Sequence, residues 1–494
     1  MPGETSRATC LTALIALATF VVASGASAAN PQGRGSSGLK REAAAQVTQL
    51  APELGGIAGR IWSFAETGLR EQRSSALLAD RLALEGFSVE RGVAELPTAF
   101  VATYGTGNPV VAILAEYDAL PGVGNEASAE RQPRADGVAS GHGCGHNLLG
   151  SAAVGGAIAL KRVMASHHLP GTLKVFGTPA EEDDIGKLYM AKAGVFNGID
   201  AAIEWHPYAE TGVNNGVELA LNNFQFEFFG KSAHASAEPE KGRSALHALE
   251  MTTFGLNLMR EHVRSTVRMH YYVANGGVAP NIVPDYARLV LNVRDDNREG
   301  VEEVYARVLK IVDGAANAME VQYKVTLFSA LNALLLNRPL QEAMQANLQA
   351  LGPIQFSAAD QEFGRSLQRS LHISETGFDG SIKPLAAAPV YAGGSTDVAE
   401  VSRIAPTVGF QASSAPVGTP WHAWATTAAH GSPAASKSVE YAAKAITAMG
   451  IDLLTDRELL SRAKQEFLRA TGGRPYVAGI PADQKPPLDR ATGN

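Results

Sequence analysis

Cysteine is almost absent: the 494 residues contain two, Cys10 and Cys144. A disulfide framework is therefore excluded. Charged residues make up 18% of the chain and the net charge is −7, so the broad basic footprint of a nucleic-acid binder is missing. Three catalytic signatures are also missing. No G-x-x-x-x-G-K-[ST] phosphate loop, no H-E-x-x-H zinc helix and no G-x-S-x-G nucleophile elbow occurs. Gly105 and Gly107 give a fragment of a dinucleotide fingerprint, but Pro109 and the strand after it spoil the match. No long repeat or low-complexity block interrupts the chain. Hydrophobic residues make up 45%, which is globular composition with ample material for a large core. The length predicts two or three domains.

The N-terminus predicts a compartment. Leu11 to Ala23 is uncharged and mostly apolar, and Ala26-Ser27-Ala28 offers a small-residue cleavage site. Residues 1–28 read as a secretory signal peptide, and the protein as exported, periplasmic or secreted, with no membrane attachment after cleavage. The alternative is an uncleaved anchor, for which the run is short. Cleavage would remove Cys10 and leave Cys144 as a lone thiol, either a bland buried residue or a chemical one.

Apolar periodicity starts near Leu39, after a Gly/Ser-rich linker from Gly33 to Gly38. Ile61 to Leu84 reads as one amphipathic helix ended by Gly86. Ala99 to Tyr104, Val110 to Leu114, Thr172 to Thr178 and Ala201 to Glu204 read as strands. Leu148 to Met164 reads as an Ala/Gly-rich helix and Tyr189 to Ala193 as a helical piece. This alternation predicts an α/β domain, a mixed sheet flanked by helices, over 39–222 and again over 336–455. The stretch 223–335 changes rhythm. Strand Phe224–Phe229, helix Ser244–His262, strands Val267–Val273 and Ala287–Val293, helix Gly300–Met319 and strand Val321–Leu327 form a βαββαβ, ferredoxin-like insertion. Residues 456–494 read as a C-terminal tail, rich in Pro from Arg474.

The chemistry-bearing side chains gather mostly at strand ends. Gly141-His142-Gly143-Cys144-Gly145-His146-Asn147 sets a thiolate and an imidazole two residues apart, and its glycines free the backbone to approach an ion. Cys with His suits Zn²⁺ and tolerates Mn²⁺, Co²⁺ or Ni²⁺. Strand Thr172–Thr178 runs into Glu181-Glu182, two neighbouring acids of which one can ligate while the other serves as a base. Strand Val110–Leu114 delivers Glu116 and Asp118, and strand Ala201–Glu204 delivers His206. Taken singly, each has a bland alternative: a buried thiol, two solvated acids, a locally satisfied histidine. Their joint placement fits a site at the carboxyl edge of an open sheet.

The segments EYDALPG, GHGCGHN, TPAEE, EWHP, GKSAHAS, NIVPDYA, GGSTDV and GTPWHAW, in that order along nearly the whole mature chain, resemble the M20 metallopeptidase/amidohydrolase family. The resemblance implies a zinc-exopeptidase-like catalytic domain whose inserted domain acts as a lid and dimerisation unit. It implies one or two divalent ions, Zn or Mn, held by Cys144, His146, Glu182, His206 and His422. His430, in Ala429-His430-Gly431-Ser432-Pro433, competes for the last place. Glu181 would be the general base, and Asp118 would orient ligands, with Asp397 doing similar work. His234 would stabilise the oxyanion, often from the partner of a homodimer; a heteromer with a related subunit is the other possibility. Asn281 and Arg294 would hold the substrate, Arg294 by a two-pronged contact with a carboxylate. Arg294 also reads as a surface ion pair with Asp295 or Asp296.

The implied activity is metal-dependent cleavage of the amide bond of N-acyl amino acids, p-aminobenzoyl-glutamate first among them, or of short dipeptide-like amides, by metal-activated water with Glu181 as base. The rival from another class is a non-catalytic metal- or peptide-binding protein that keeps the fold. A second rival is a thiol or redox enzyme using Cys144.

Overall fold

The computed structural model describes residues 31–182 and 185–488; residues 1–28, read as a signal peptide, lie outside them. In chain order the strands are β1 (Ser88–Arg91), β2 (Phe100–Thr106), β3 (Val110–Ala115), β4 (Gly171–Gly177), β5 (Ala201–Tyr208), β6 (Gly212–Val213), β7 (Gly216–Val217), β8 (Ala220–Phe229), β9 (Arg268–Asn275), β10 (Tyr286–Asp295), β11 (Gln322–Leu331), β12 (Val390–Tyr391) and β13 (Thr407–Ser413). The first sheet runs β1-β2-β4-β3-β5-β13-β6. Its centre, β4-β3-β5-β13, is parallel, and its outer strands are antiparallel. The fold is thus mixed α/β, as the alternation of elements predicted.

The first helices are α1 (Pro31–Phe64), α2 (Gln72–Leu84), α3 (His146–His167) and α4 (Gly186–Lys192). Helix α3 is buried along most of its length because its small residues admit neighbours. A Cβ on Gly155 would lie 2.3 Å from Leu54 of α1, and one on Gly156 would lie 2.8 Å from Ile446. That close packing fixes the N-terminus of α3, which begins at His146, against the sheet.

A second sheet, order β11-β8-β10-β9, is antiparallel throughout. Helices α5 (Ala245–Met259) and α6 (Arg298–Ala318) pack with it around Phe224, Phe226, Phe228, Leu289, Leu291 and Val293. The remaining helices are α7 (Arg338–Leu351), α8 (Ala358–Ser370), α9 (Val398–Ser402), α10 (Trp424–His430), α11 (Pro433–Thr455) and α12 (Arg457–Thr471). Helix α12 falls in the stretch read as a tail. Beyond it the chain runs over the surface, where Lys192 Nζ donates to the carbonyl of Gln484.

Two elements differ from the sequence expectation. The single helix expected over Ile61–Leu84 is broken between Phe64 and Gln72, with Ala65 and Leu69 at φ 44° and 60°. A tertiary contact wins over helix periodicity there. Ala119 N donates to the carbonyl of Glu66 at 2.8 Å, and Thr67 bridges to Ala119. The Glu66 carboxylate then accepts from the amides of Arg73 and Ser74, satisfying the first turn of α2. Strand β5 also runs on to Tyr208, so His206 lies within the strand and not beyond it.

Candidate active site

The carboxyl ends of β3, β4 and β5 point to one edge of the parallel sheet, where ligand sites of open α/β sheets form. β3 leads into Glu116 and Asp118, both buried. β4 leads through Ala180, at φ 59°, into Glu181 and Glu182. That turn is held by buried Glu71, whose carboxylate accepts from Ala180 N at 2.8 Å and from the Thr98 hydroxyl at 3.0 Å. β5 supplies His206, and the start of α3 supplies His146.

Asp118 organises the centre. Its Oδ1 accepts from His146 Nδ1 at 2.9 Å, and its Oδ2 from the Glu182 amide at 3.0 Å. This fixes the His146 tautomer and turns Nε2 inward. Nε2 is buried 3.2 Å from Glu116 Oε2 and 4.0 Å from Glu182 Oε1, and neither it nor Glu182 Oε1 makes a hydrogen bond. Cys144 Sγ lies 3.3 Å from His206 Nε2, and His422 Nε2 lies 3.4 Å from Glu182 Oε2. Cys144, His146 and His206 form one group able to hold an ion; Cys144, Glu182 and His422 form a second; Glu116, His146 and Glu181 form a third. The first two share the thiol. Two orphaned buried atoms facing each other beside a Cys/His/carboxylate set are what a borderline-soft divalent ion requires, so the residues fit a metal.

His430 is not so placed. Its Nδ1 donates to the His142 carbonyl at 2.8 Å and its Nε2 meets the Ser414 hydroxyl at 3.2 Å, so both ring nitrogens are engaged in packing. The glycines of the Cys loop also lie close against other parts of the protein. A Cβ on Gly143 would lie 3.3 Å from His422 Cα, and one on Gly145, at φ +85°, would lie 2.8 Å from Pro207 and 2.9 Å from His430. They make room for neighbouring protein segments that converge on the site.

Glu181 sits apart from the thiol-centred groups. Its Oε1 accepts from the Thr396 hydroxyl at 2.9 Å. Burial and the nearby carboxylates of Glu116, Glu182 and Asp397 push its pKa well up. Such a carboxyl holds a proton far more readily than a solvated one.

The sequence reading missed Glu71 and, nearer the centre, a buried lysine. Lys187 of α4 is fully buried; its Nζ donates to Glu116 Oε1 at 2.5 Å and to Asp397 Oδ1 at 2.6 Å. Burial works against its charge, but Asp397 and Glu116 outweigh that and raise its pKa. The signal was a lone lysine leading the apolar run Leu188-Tyr189-Met190. Asp397 therefore reaches the centre through Lys187 and Glu116. The loop before it carries Thr396, on Glu181, and Ser395, whose hydroxyl accepts from Arg294 Nη1 at 3.1 Å.

Arg294, on β10, closes one wall of a cleft of about 500 Å³ that also contains Cys144, Glu181, Glu182, His206 and His422. It pairs with neither adjacent acid: Asp295 binds Arg264. His234 and Asn281 do not line this cleft. They lie side by side on exposed loops of the second sheet, where Ala235 N donates to the Asn281 carbonyl and His234 bridges Ile282.

Residues 112–378, which carry most of this Cys/His/carboxylate centre at the edge of the parallel sheet, match the Peptidase family M20/M25/M40; the chain belongs to that family of hydrolases. It is 35% identical over 456 residues, covering 87% of this chain and 95% of the relative, to one of the subunits of the p-aminobenzoyl-glutamate hydrolase of Escherichia coli. Among solved structures it resembles an aminobenzoyl-glutamate utilization protein from Klebsiella pneumoniae, with TM-score 0.54, 20% identity, and coverage of 80% and 96% of the two chains. It also resembles a Bacillus subtilis dinuclear metal-binding peptidase from the M20 family, with TM-score 0.56, 18% identity, and coverage of 83% and 99%.

Proposed function

We propose that the protein is a metal-dependent amidohydrolase that cleaves the amide bond of N-acyl amino acids, of which p-aminobenzoyl-glutamate is the first candidate, and of short dipeptide-like amides. The observation that carries this reading is the placement of Glu181, free of the thiol-centred donor groups, in one cleft with them and with Arg294. Cys144, His146, Glu182, His206 and His422 would hold one or two ions, Zn or Mn, which when bound supply Lewis acidity toward the amide carbonyl and lower the pKa of the attacking water. Asp118 keeps His146 Nε2 facing inward. Glu181 takes the proton of the attacking water on its carboxylate and delivers it to the leaving amine. Arg294 offers its two-pronged guanidinium to the free carboxylate of the substrate.

The test is purified protein assayed for metal and for glutamate release from p-aminobenzoyl-glutamate, with and without chelator and added Mn²⁺ or Zn²⁺. Turnover lost to chelator and restored by metal is expected. Cys144→Ser removes the ligand shared by two donor groups, so bound metal is expected to fall along with activity. Full metal content in that variant, or turnover indifferent to chelator, would sink the reading.

The second sheet with α5 and α6, residues 223–335, acts in this proposal as a ferredoxin-like lid and dimerisation domain. Its edge strand β9 and helix α5 expose Tyr272 (61%) and Phe254 (67%), apolar surface suited to a second copy. His234, exposed and outside its own cleft, then serves the partner's site as an oxyanion donor. Two inactive variants, Glu181→Gln and His234→Ala, should regain turnover when co-expressed, because a mixed dimer contains one intact site. Failure to complement, with both variants folded and dimeric, would place His234 outside the chemistry.

A further inference from the structure

The cleft-facing side of the second sheet carries polar atoms with nothing to bind. Side chains alternate along a strand, so Leu221 and Asn223 of β8 face the cleft with Asn292 and Arg294 of β10 and Ser329 and Leu331 of β11. Register groups them in two rows. Asn292 and Ser329 both lie opposite Asn223, while Arg294 and Leu331 both lie opposite Leu221. Asn223 Oδ1, Asn292 Oδ1, Ser329 Oγ and Arg294 Nε are buried and have no hydrogen-bond partner. Ser329 is 3% exposed. Unpartnered polar atoms are rare in a folded interior, and four on one sheet face lining one cavity indicate a ligand that completes them.

We infer that the row Ser329–Asn223–Asn292 is a side-chain recognition subsite for N-acyl derivatives of dicarboxylic amino acids and their side-chain amides. This rests on the amidohydrolase reading and deepens it. Arg294 takes the α-carboxylate. The polar row lies two residues along the strand, about 6.8 Å away, within reach of a second planar polar group on the same amino acid. Asparagine amides can turn to present either N–H or oxygen, and a serine hydroxyl both donates and accepts. The row is uncharged, and Arg294 is the only Lys or Arg lining the cleft among the described residues. Glu204 and Glu218 line the same cleft, so charge does not draw a second carboxylate in. Recognition is by hydrogen bonding, and a glutamine derivative is accepted as well as a glutamate derivative.

The experiment compares N-benzoyl-glutamate, N-benzoyl-glutamine and N-benzoyl-norleucine in wild type, Asn292→Leu and Asn292→Asp. In wild type the first two should agree within a few-fold and exceed norleucine by at least about tenfold in kcat/KM, since a site built for hydrogen bonds rejects an analogue lacking them. Asn292→Leu should erase that preference, lowering kcat/KM for the glutamate and glutamine derivatives by at least about tenfold more than for norleucine. Asn292→Asp, nearly isosteric and thus a control for folding, should reject glutamate yet keep glutamine. No wild-type preference over norleucine, or an equal loss on all three substrates in the variants, overturns the subsite. Calorimetric binding of the same compounds separates the two proposals. Selective binding without turnover keeps the subsite and sinks the amidohydrolase reading; unselective binding sinks the subsite whatever the turnover.

Discussion

Replacing Lys187 with methionine is expected to destabilise the protein by about 3–5 kcal/mol, the range for breaking a buried ion pair by removing one partner. Lys187 is fully buried between two carboxylates, Glu116 and Asp397, at 2.5 and 2.6 Å. Methionine fills much of the same volume, so the loss is electrostatic and not a cavity. Two buried carboxylates would then share a site without the lysine's counter-charge. The effect reaches the donor groups, because Glu116 Oε2 lies 3.2 Å from His146 Nε2. Freed of Lys187, Glu116 would hold His146 as an imidazolium, and a protonated ring cannot ligate. Denaturant unfolding reads the stability and metal titration reads the affinity; both should fall. Lys187→Met combined with Glu116→Gln should recover part of each, because it removes one stranded charge. If the single variant unfolds like wild type, or the double variant adds to the damage, Lys187 is not the counter-ion of this pair.

Lys187 also marks the limit of what the sequence made legible. The donors were readable because each sits where an apolar strand gives way to a short polar motif: Glu116 and Asp118 after β3, Glu181 and Glu182 after β4, His206 near the end of β5. Strand direction alone brings such ends to one edge. Lys187 follows an acidic run at the start of a short helix, a place where local pattern predicts solvent. Only the three-dimensional approach of Asp397, 210 residues along the chain, buries it. The break between α1 and α2 has the same origin. In residues 61–84 only Gly68 weakens the helical period; the break is fixed by Ala119, one residue past Asp118, bonding to the Glu66 carbonyl. The choice between His422 and His430 likewise depended on whose ring nitrogens were already taken. His234 and Asn281 were legible as motif residues, but their place on exposed loops outside this chain's own cleft was not, because it depends on how the second sheet is set against the first.

Glu181→Gln should lower kcat by about 10²–10⁴, the usual share of a positioned general base, while bound metal and substrate affinity stay near wild type. Geometry separates it from its neighbour. The Glu182 amide donates to Asp118, Oε1 faces His146, and Oε2 lies 3.4 Å from His422, so Glu182 is committed to the donor set. Glu181 accepts one side-chain hydrogen bond, from Thr396, and otherwise faces the cleft. A glutamine there can still accept from Thr396 through its amide oxygen, so the fold and the donor groups should be undisturbed. What it cannot do is accept a proton. Glu182→Gln should instead lose metal first and activity as a consequence. Thr396→Val tests how Glu181 is held: with its hydroxyl gone, the carboxylate swings freely, and kcat should fall about tenfold with KM unchanged, the mark of an interaction made in the transition state. Measuring metal stoichiometry beside kcat for the three variants decides the assignment. A Glu181→Gln protein that keeps more than a tenth of wild-type turnover, or one that loses its metal, would move the base elsewhere or return Glu181 to the ligand set.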